Sequence, residues 1–181
     1  MNTDWILPIS RSDDQAWLKL LQVYSSPDTS TSERITARTD FLSETNRAAI
    51  IQSHLIKDLA CWLALSLVEY LTVEESIPLL PELIHRYLNC RLGDLLEVRG
   101  LILRLPQEIL VADIERLCNS YLANNTDDQD WLDLLNLYEA IDPALVRRLA
   151  RKAKENASEE IRLLGVEFTA EDKERERPGQ Y

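Results

Sequence analysis

Glu82 and His85 stand three residues apart, so one helical turn presents a carboxylate and an imidazole side by side. That is one arm of a carboxylate-bridged di-iron site, which also needs a second Glu-x-x-His and two more glutamates on facing helices. The only other histidine is His54, and the residue three before it is Ile51, so no metal is expected. Cys61, Cys90 and Cys118 are odd in number and lack paired spacing, which argues against both zinc and a disulfide framework. Each falls on an apolar helical face, where a thiol acts as a small hydrophobe. The chain has no nucleophile elbow, no phosphate loop and no glycine-rich turn ahead of a helix. Two histidines leave few general bases near neutral pH. Neither catalysis nor a cofactor is expected.

The remaining chemistry is charge. Twenty Lys and Arg face 31 Asp and Glu, for a formal charge of −11. That balance disfavours nucleic acid and anionic membranes, whose phosphates are held by Lys and Arg, and it suits a partner protein with a basic surface. Asp127, Asp128, Asp130 and Asp133 fall within seven residues, at what reads as a helix start. A basic run follows on the next helix, where Arg147, Arg151 and Lys154 share one face beside Arg148 and Lys152. Acids at a helix start and bases toward a helix end complement the macrodipole. The same arrangement also makes a bipolar edge on which a partner can dock. The seven residues Asp127, Asp128, Asp130, Asp133, Arg147, Arg151 and Lys154 are the candidate partner-binding set.

These charges must be positioned by helices. Glycine is scarce, at four residues, so tight turns needing positive φ are poorly supplied, and β-branched residues rarely alternate with polar ones. Ser12-x-x-Gln15, Ser30-x-x-Glu33, Thr72-x-x-Glu75 and Thr126-x-x-Gln129 read as capping boxes. Helices are predicted at about 13–25, 31–44, 46–71, 74–90, 93–105, 107–124, 127–141, 143–156 and 158–168. The third segment is long enough for two helices, and Pro78 with Pro81 can delay the fourth to about 79–82. Short links at Leu105-Pro106 and Asp142-Pro143 make neighbouring helices antiparallel. The first residues lack a basic region followed by an apolar run. The longest uncharged apolar run, Leu59 to Val68, is half a membrane span. A soluble, cytoplasmic chain is expected.

Two stretches nearly repeat each other. Ser12 to Tyr24 and Thr126 to Tyr138 are identical at eight of thirteen positions, 114 residues apart, or about three periods of 38. Weaker copies of Lys19-Leu20-Leu21 and Asp133-Leu134-Leu135 lie at Asp58-Leu59-Ala60 and Asp94-Leu95-Leu96, and a tryptophan recurs at Trp62. Trp17, Leu21 and Tyr24, like Trp131, Leu135 and Tyr138, are spaced at i, i+4, i+7 as a core stripe.

The stretch from Asp127 to Phe168 resembles the HEAT-like α-helical repeat family. It has an Asp-rich turn, a helix from Trp131 to Tyr138, the turn Asp142-Pro143, a helix from Ala144 to Ala150, and then Ser158-Glu159-Glu160-Ile161-Arg162. The resemblance implies an all-α fold with a period of about 38, either a right-handed α-solenoid or a compact irregular bundle of antiparallel helix pairs. One helical-repeat domain is expected over 1–170, with a flexible charged tail over 171–181. The expected function is a non-catalytic protein-binding domain that recognises a basic protein. Its concrete forms are an immunity protein that neutralises a toxin domain, a chaperone and an adaptor. The competing class is an enzyme or nucleic-acid-binding protein on a HEAT-like scaffold.

Overall fold

The computed structural model describes residues 11–55, 61–89, 95–122 and 127–175, and among them it contains helices and turns but no strand. The helices are α1 (Arg11–Ser25), α2 (Thr31–Leu42), α3 (Arg47–Leu55), α4 (Cys61–Val68), α5 (Val73–Ser76), α6 (Leu80–Asn89), α7 (Leu95–Leu103), α8 (Gln107–Leu122), α9 (Asp128–Ile141), α10 (Pro143–Lys154) and α11 (Glu159–Arg175), with a 3-10 turn at Ile77–Leu79 between α5 and α6. The chain forms two compact units, Met1–Arg86 and Tyr87–Tyr181, within the stretch read from the sequence as one domain and its tail. α11 continues to Arg175, and 176–181 lie outside the described residues.

In the first unit α1 packs on α2 and α3, and α3 packs on α4. Two of the expected capping boxes set its helix starts. The Ser30 hydroxyl accepts from the Glu33 amide at 3.3 Å while the Glu33 carboxylate accepts from the Ser30 amide at 2.8 Å. Thr72 and Glu75 do the same at 3.3 and 2.9 Å. Each reciprocal cap satisfies two orphan amides and is worth about 1 kcal/mol. The helix predicted over 74–90 is broken. α5 is one turn long, the backbone tightens into the 3-10 turn at Pro78, and α6 starts at Leu80 with Pro81 in its first turn. Pro78 and Pro81 have no amide hydrogen to continue an α-helix through their own positions. Buried Gln52 spans this break from α3, donating to the Pro78 carbonyl at 3.2 Å and to the Glu82 carboxylate at 3.1 Å. Arg47 ties the end of α2 to α5, donating to the Leu42 carbonyl at 2.6 Å and pairing with Glu75 at 2.9 Å. α1 begins at Arg11, and the side chain of Ser12 in the expected first box lies outside the described residues.

In the second unit α9 is the central element and touches α7, α8, α10 and α11. Its Trp131, Leu134, Leu135, Leu137, Tyr138 and Ile141 are all buried. Asp142 alone separates α9 from α10. Its backbone is extended (φ −160°, ψ 129°), its amide closes α9 on the Tyr138 carbonyl, and its carboxylate caps α10 by accepting from the Ala144 amide at 2.6 Å. Pro143 then starts α10 where its missing amide hydrogen costs nothing. α10 buries Leu145, Val146, Leu149, Ala150 and Ala153 and turns its charges outward. α11 lies close against α10 at buried Gly165, where an added Cβ would stand 2.6 Å from the Ala150 carbonyl oxygen and 2.7 Å from the Lys154 nitrogen.

Three side chains in this unit reach positions 33 to 37 residues away, near one sequence period. Arg99 reaches the Asn136 carbonyl 37 residues on, Arg148 reaches Glu115 33 residues back, and Lys152 reaches Asn119 33 residues back. α7 is thereby tied to α9, and α8 to α10.

The outer repeat copies both bury their tryptophans. Trp17 is 1% exposed and Trp131 4%. Trp17 stacks on His54 at 4.1 Å and meets Phe41 edge-on at 5.8 Å. The stripe around it is less complete than in α9, since Leu18 is exposed and Tyr24 only half-buried. Asp58-Leu59-Ala60 and Asp94 lie outside the described residues, Leu96 is exposed, and Trp62 is 48% exposed.

Candidate functional site

The four aspartates do different things. Asp127, rather than Thr126, is the cap of α9, and its carboxylate accepts from the Gln129 amide at 2.9 Å. Thr126 lies outside the described residues. Asp128 is exposed in the first turn. Asp130 is half-buried and accepts from the Tyr121 hydroxyl at 2.8 Å. Asp133 accepts from the Gln129 side chain at 2.9 Å, and its carbonyl takes the Tyr87 hydroxyl at 2.8 Å. Burial pushes the Asp133 carboxyl above the usual carboxylate range against the Gln129 hydrogen bond, and the charges of Asp130 and Asp127 push the same way. Asp127 and Asp128 therefore carry the outward charge, and Asp130 and Asp133 brace α9 from within the unit. Negative charge at this helix start is favoured by the dipole and by the exposed amides.

The basic face of α10 is likewise divided. Arg148 clamps Glu115 with two bonds of 3.0 Å, which lower the Glu115 carboxyl below its ordinary range and raise the guanidinium. Lys152 donates to Asn119 at 2.9 Å. These two residues, one turn apart, hold α10 to α8. Of the expected set, Arg147 is half-buried, while Arg151 and Lys154 are exposed and make no ion pair among the described residues. Lys154, Glu159, Arg162, Leu163 and Val166 line a shallow pocket of about 370 Å³. Arg162 points its guanidinium back into the turn before α11, donating to the Asn156 and Ala157 carbonyls at 2.9 and 2.7 Å.

The Glu82 and His85 pair does not come together as a metal arm. Glu82 is half-buried and bonded to Gln52, and its carboxyl is raised by burial, whereas His85 is exposed. His54 is buried against Trp17. Among the described residues no three His, Cys, Asp or Glu side chains converge on a point that would hold a metal ion. Cys118 is buried in α8, and burial pushes its thiol up to about 12. Cys61 is half-buried, and Cys90 lies outside the described residues. Among the described residues no helix is long and apolar enough to cross a membrane.

An exposed aromatic edge in the first unit went unnoticed in the sequence. Trp62 and Tyr70 are 48% and 46% exposed, and Val73, three residues after Tyr70, is exposed as well. Tyr24 lies beside Trp62, ring centroids 6.3 Å apart, and Arg38 of α2 covers the Tyr70 ring at 4.5 Å. The signal was the helical phase. Trp62, Ser66 and Glu69 fall at i, i+4, i+7, so the tryptophan shares a face with the polar positions of this segment rather than with its leucines.

Comparison with protein-family models, with curated proteins and with solved structures returns no match.

Proposed function

We propose that this chain is a non-catalytic protein-binding domain that engages a basic partner protein on a HEAT-like helical-repeat scaffold. The observation that carries the reading is the start of α9, where Asp127 and Asp128 stand exposed while Asp130 and Asp133 are built into the helix behind them. This concentrates charge on a rigid element at a helix start, so it is preorganised to steer a cationic surface. The overall charge of −11 favours the same partner.

Two features support the scaffold. Side-chain bonds in the second unit recur at separations of 33 to 37 residues, close to the sequence period. Arg162, of the Glu160-Ile161-Arg162 stretch that resembles HEAT units, closes the turn ahead of α11. A solenoid places equivalent helices of successive repeats side by side, which such bonds would join. A cytosolic neutraliser of a toxin domain, a chaperone and an adaptor are the forms this binding would take.

The test is amide hydrogen exchange on the one-to-one complex with the protein that co-purifies from the source cell. Added protection at the first turn of α9 is the expected result. Protection confined to other elements would move the docking edge away from α9. Absence of any stoichiometric partner would remove the reading itself.

A further inference from the structure

Leaving a tryptophan and a tyrosine half in water forgoes hydrophobic stabilisation that each would gain on burial. On this chain the two meet the packed pair α1 and α2, Trp62 beside Tyr24 of α1 and Tyr70 beneath Arg38 of α2, and so mark one edge of the first unit. Trp62 is exposed in the first turn of α4, and Tyr70 follows in the turn after that helix. The edge is held in place rather than loose. Tyr24 flanks Trp62. Arg38 stacks on Tyr70 and donates to its hydroxyl at 2.6 Å, so the ring is fixed by two contacts.

The charges beside these rings have one sign to spare. Glu69 and Glu74 are exposed and form no hydrogen bond or ion pair among the described residues. Arg38, which lies beside Tyr70, is already held by that ring and its hydroxyl. Glu69 stands in the turn that carries Tyr70, directly after α4, and Glu74 follows exposed Val73 at the start of α5. The edge thus offers a half-exposed indole, carboxylates with no partner among the described residues and an apolar step at Val73.

We infer that this edge is a docking surface for a protein segment in which Lys or Arg alternates with apolar side chains. A guanidinium or ammonium group lies over Trp62, the strongest cation–π acceptor among the side chains, and Glu69 and Glu74 pair with its neighbours. An apolar side chain of the segment packs on Val73 and the exposed edge of Tyr70. Arg38 on Tyr70 shows the same contact made within the chain. Trp, Tyr and Arg are also the residues that carry most binding energy at interfaces. Charge complementarity selects the partner: an anionic lipid surface or an acidic segment would bring like charge onto Glu69 and Glu74. The inference shares with the proposed function the view that the partner is basic, and adds a second surface on the other unit.

The experiment titrates the full-length protein with a synthetic peptide of alternating leucine and arginine, and separately with its leucine and glutamate counterpart. The readout is the Trp62 indole N–H resonance, assigned with Trp62→Phe. A saturable shift with the arginine peptide and none with the glutamate peptide is expected. Glu69→Gln with Glu74→Gln should weaken binding about tenfold, which is about 1.4 kcal/mol. Asp127→Asn with Asp128→Asn should leave binding at Trp62 unchanged. A Trp62 resonance that stays still, that moves equally with both peptides, or that titrates identically in the double Gln variant would overturn the inference. If the arginine peptide instead shifts amides at the start of α9, this edge is excluded while the protein-binding reading survives.

Discussion

Two glycine-to-alanine changes in the second unit measure how closely α11 approaches α10. Ala exceeds Gly in helix propensity by about 0.8–1.0 kcal/mol, a gain available at any helix-interior glycine. At Gly100 of α7 an added Cβ meets nothing within 4 Å, so Gly100→Ala should stabilise by about that amount. At Gly165 the same methyl would sit 2.6 Å from the Ala150 oxygen, 2.7 Å from the Lys154 nitrogen and 2.9 Å from its Cγ. Two of these atoms are backbone and cannot rotate away, so the helices must part by roughly 1 Å to reach ordinary contact. Overpacking of this kind costs about 1–3 kcal/mol. Because the propensity gain is shared, the difference between the two variants isolates the steric cost, and it should be about 1–3 kcal/mol. Urea unfolding followed by circular dichroism gives both numbers, provided the slopes agree. Equal stabilisation by the two substitutions would refute the close packing of α10 and α11.

Trp131→Ala should destabilise by about 3–5 kcal/mol, the range for emptying a core aromatic site, whereas Trp62→Ala should change stability by no more than about 1 kcal/mol; thermal melts of both variants check this. Burial raises the Glu82 carboxyl in the folded chain, so folding binds its proton more tightly than the unfolded chain does. Wild-type stability should therefore fall as pH rises from the unfolded carboxylate range through the folded value, and Glu82→Gln should lack that fall; melting temperatures across this window measure the difference. With its thiol pushed up to about 12 and shielded, Cys118 should resist a thiolate-specific reagent until the protein unfolds, while Cys61 reacts sooner; Cys61→Ser and Cys118→Ser in a Cys90→Ser background assign the two rates.

How legible each feature was in the sequence follows from how local its cause is. The Ser30 and Thr72 capping boxes and the Asp142-Pro143 turn involve residues within a few positions of one another, and they stand where the sequence puts them. The break at Pro78 and Pro81 was visible as an alternative, because the missing amides are a property of the residues themselves. Trp62 misled because a recurring residue type was given more weight than its helical phase beside Ser66 and Glu69. The stripe Trp131, Leu135 and Tyr138 is fully buried in α9, which has neighbours on several sides. In α1 the matching Leu21 and Tyr24 are only half-buried, since burial depends on neighbouring helices that no local pattern specifies. The positions of the charges were legible, but not their division of labour. That Asp130 receives the Tyr121 hydroxyl, or that Arg148 rather than Arg151 clamps Glu115, is decided by helices brought together from far along the chain.

The proposal that the chain binds a basic protein by electrostatic steering is tested most directly by the association rate with its co-purified partner as a function of ionic strength, measured by stopped flow. A steep fall in association rate with added salt is predicted, with a dissociation rate that changes little. The slope should flatten in the Asp127→Asn, Asp128→Asn variant, whose helix cap is retained because Asn also caps. An association rate indifferent to salt, or a partner whose binding strengthens as salt screens the charges, would contradict the account.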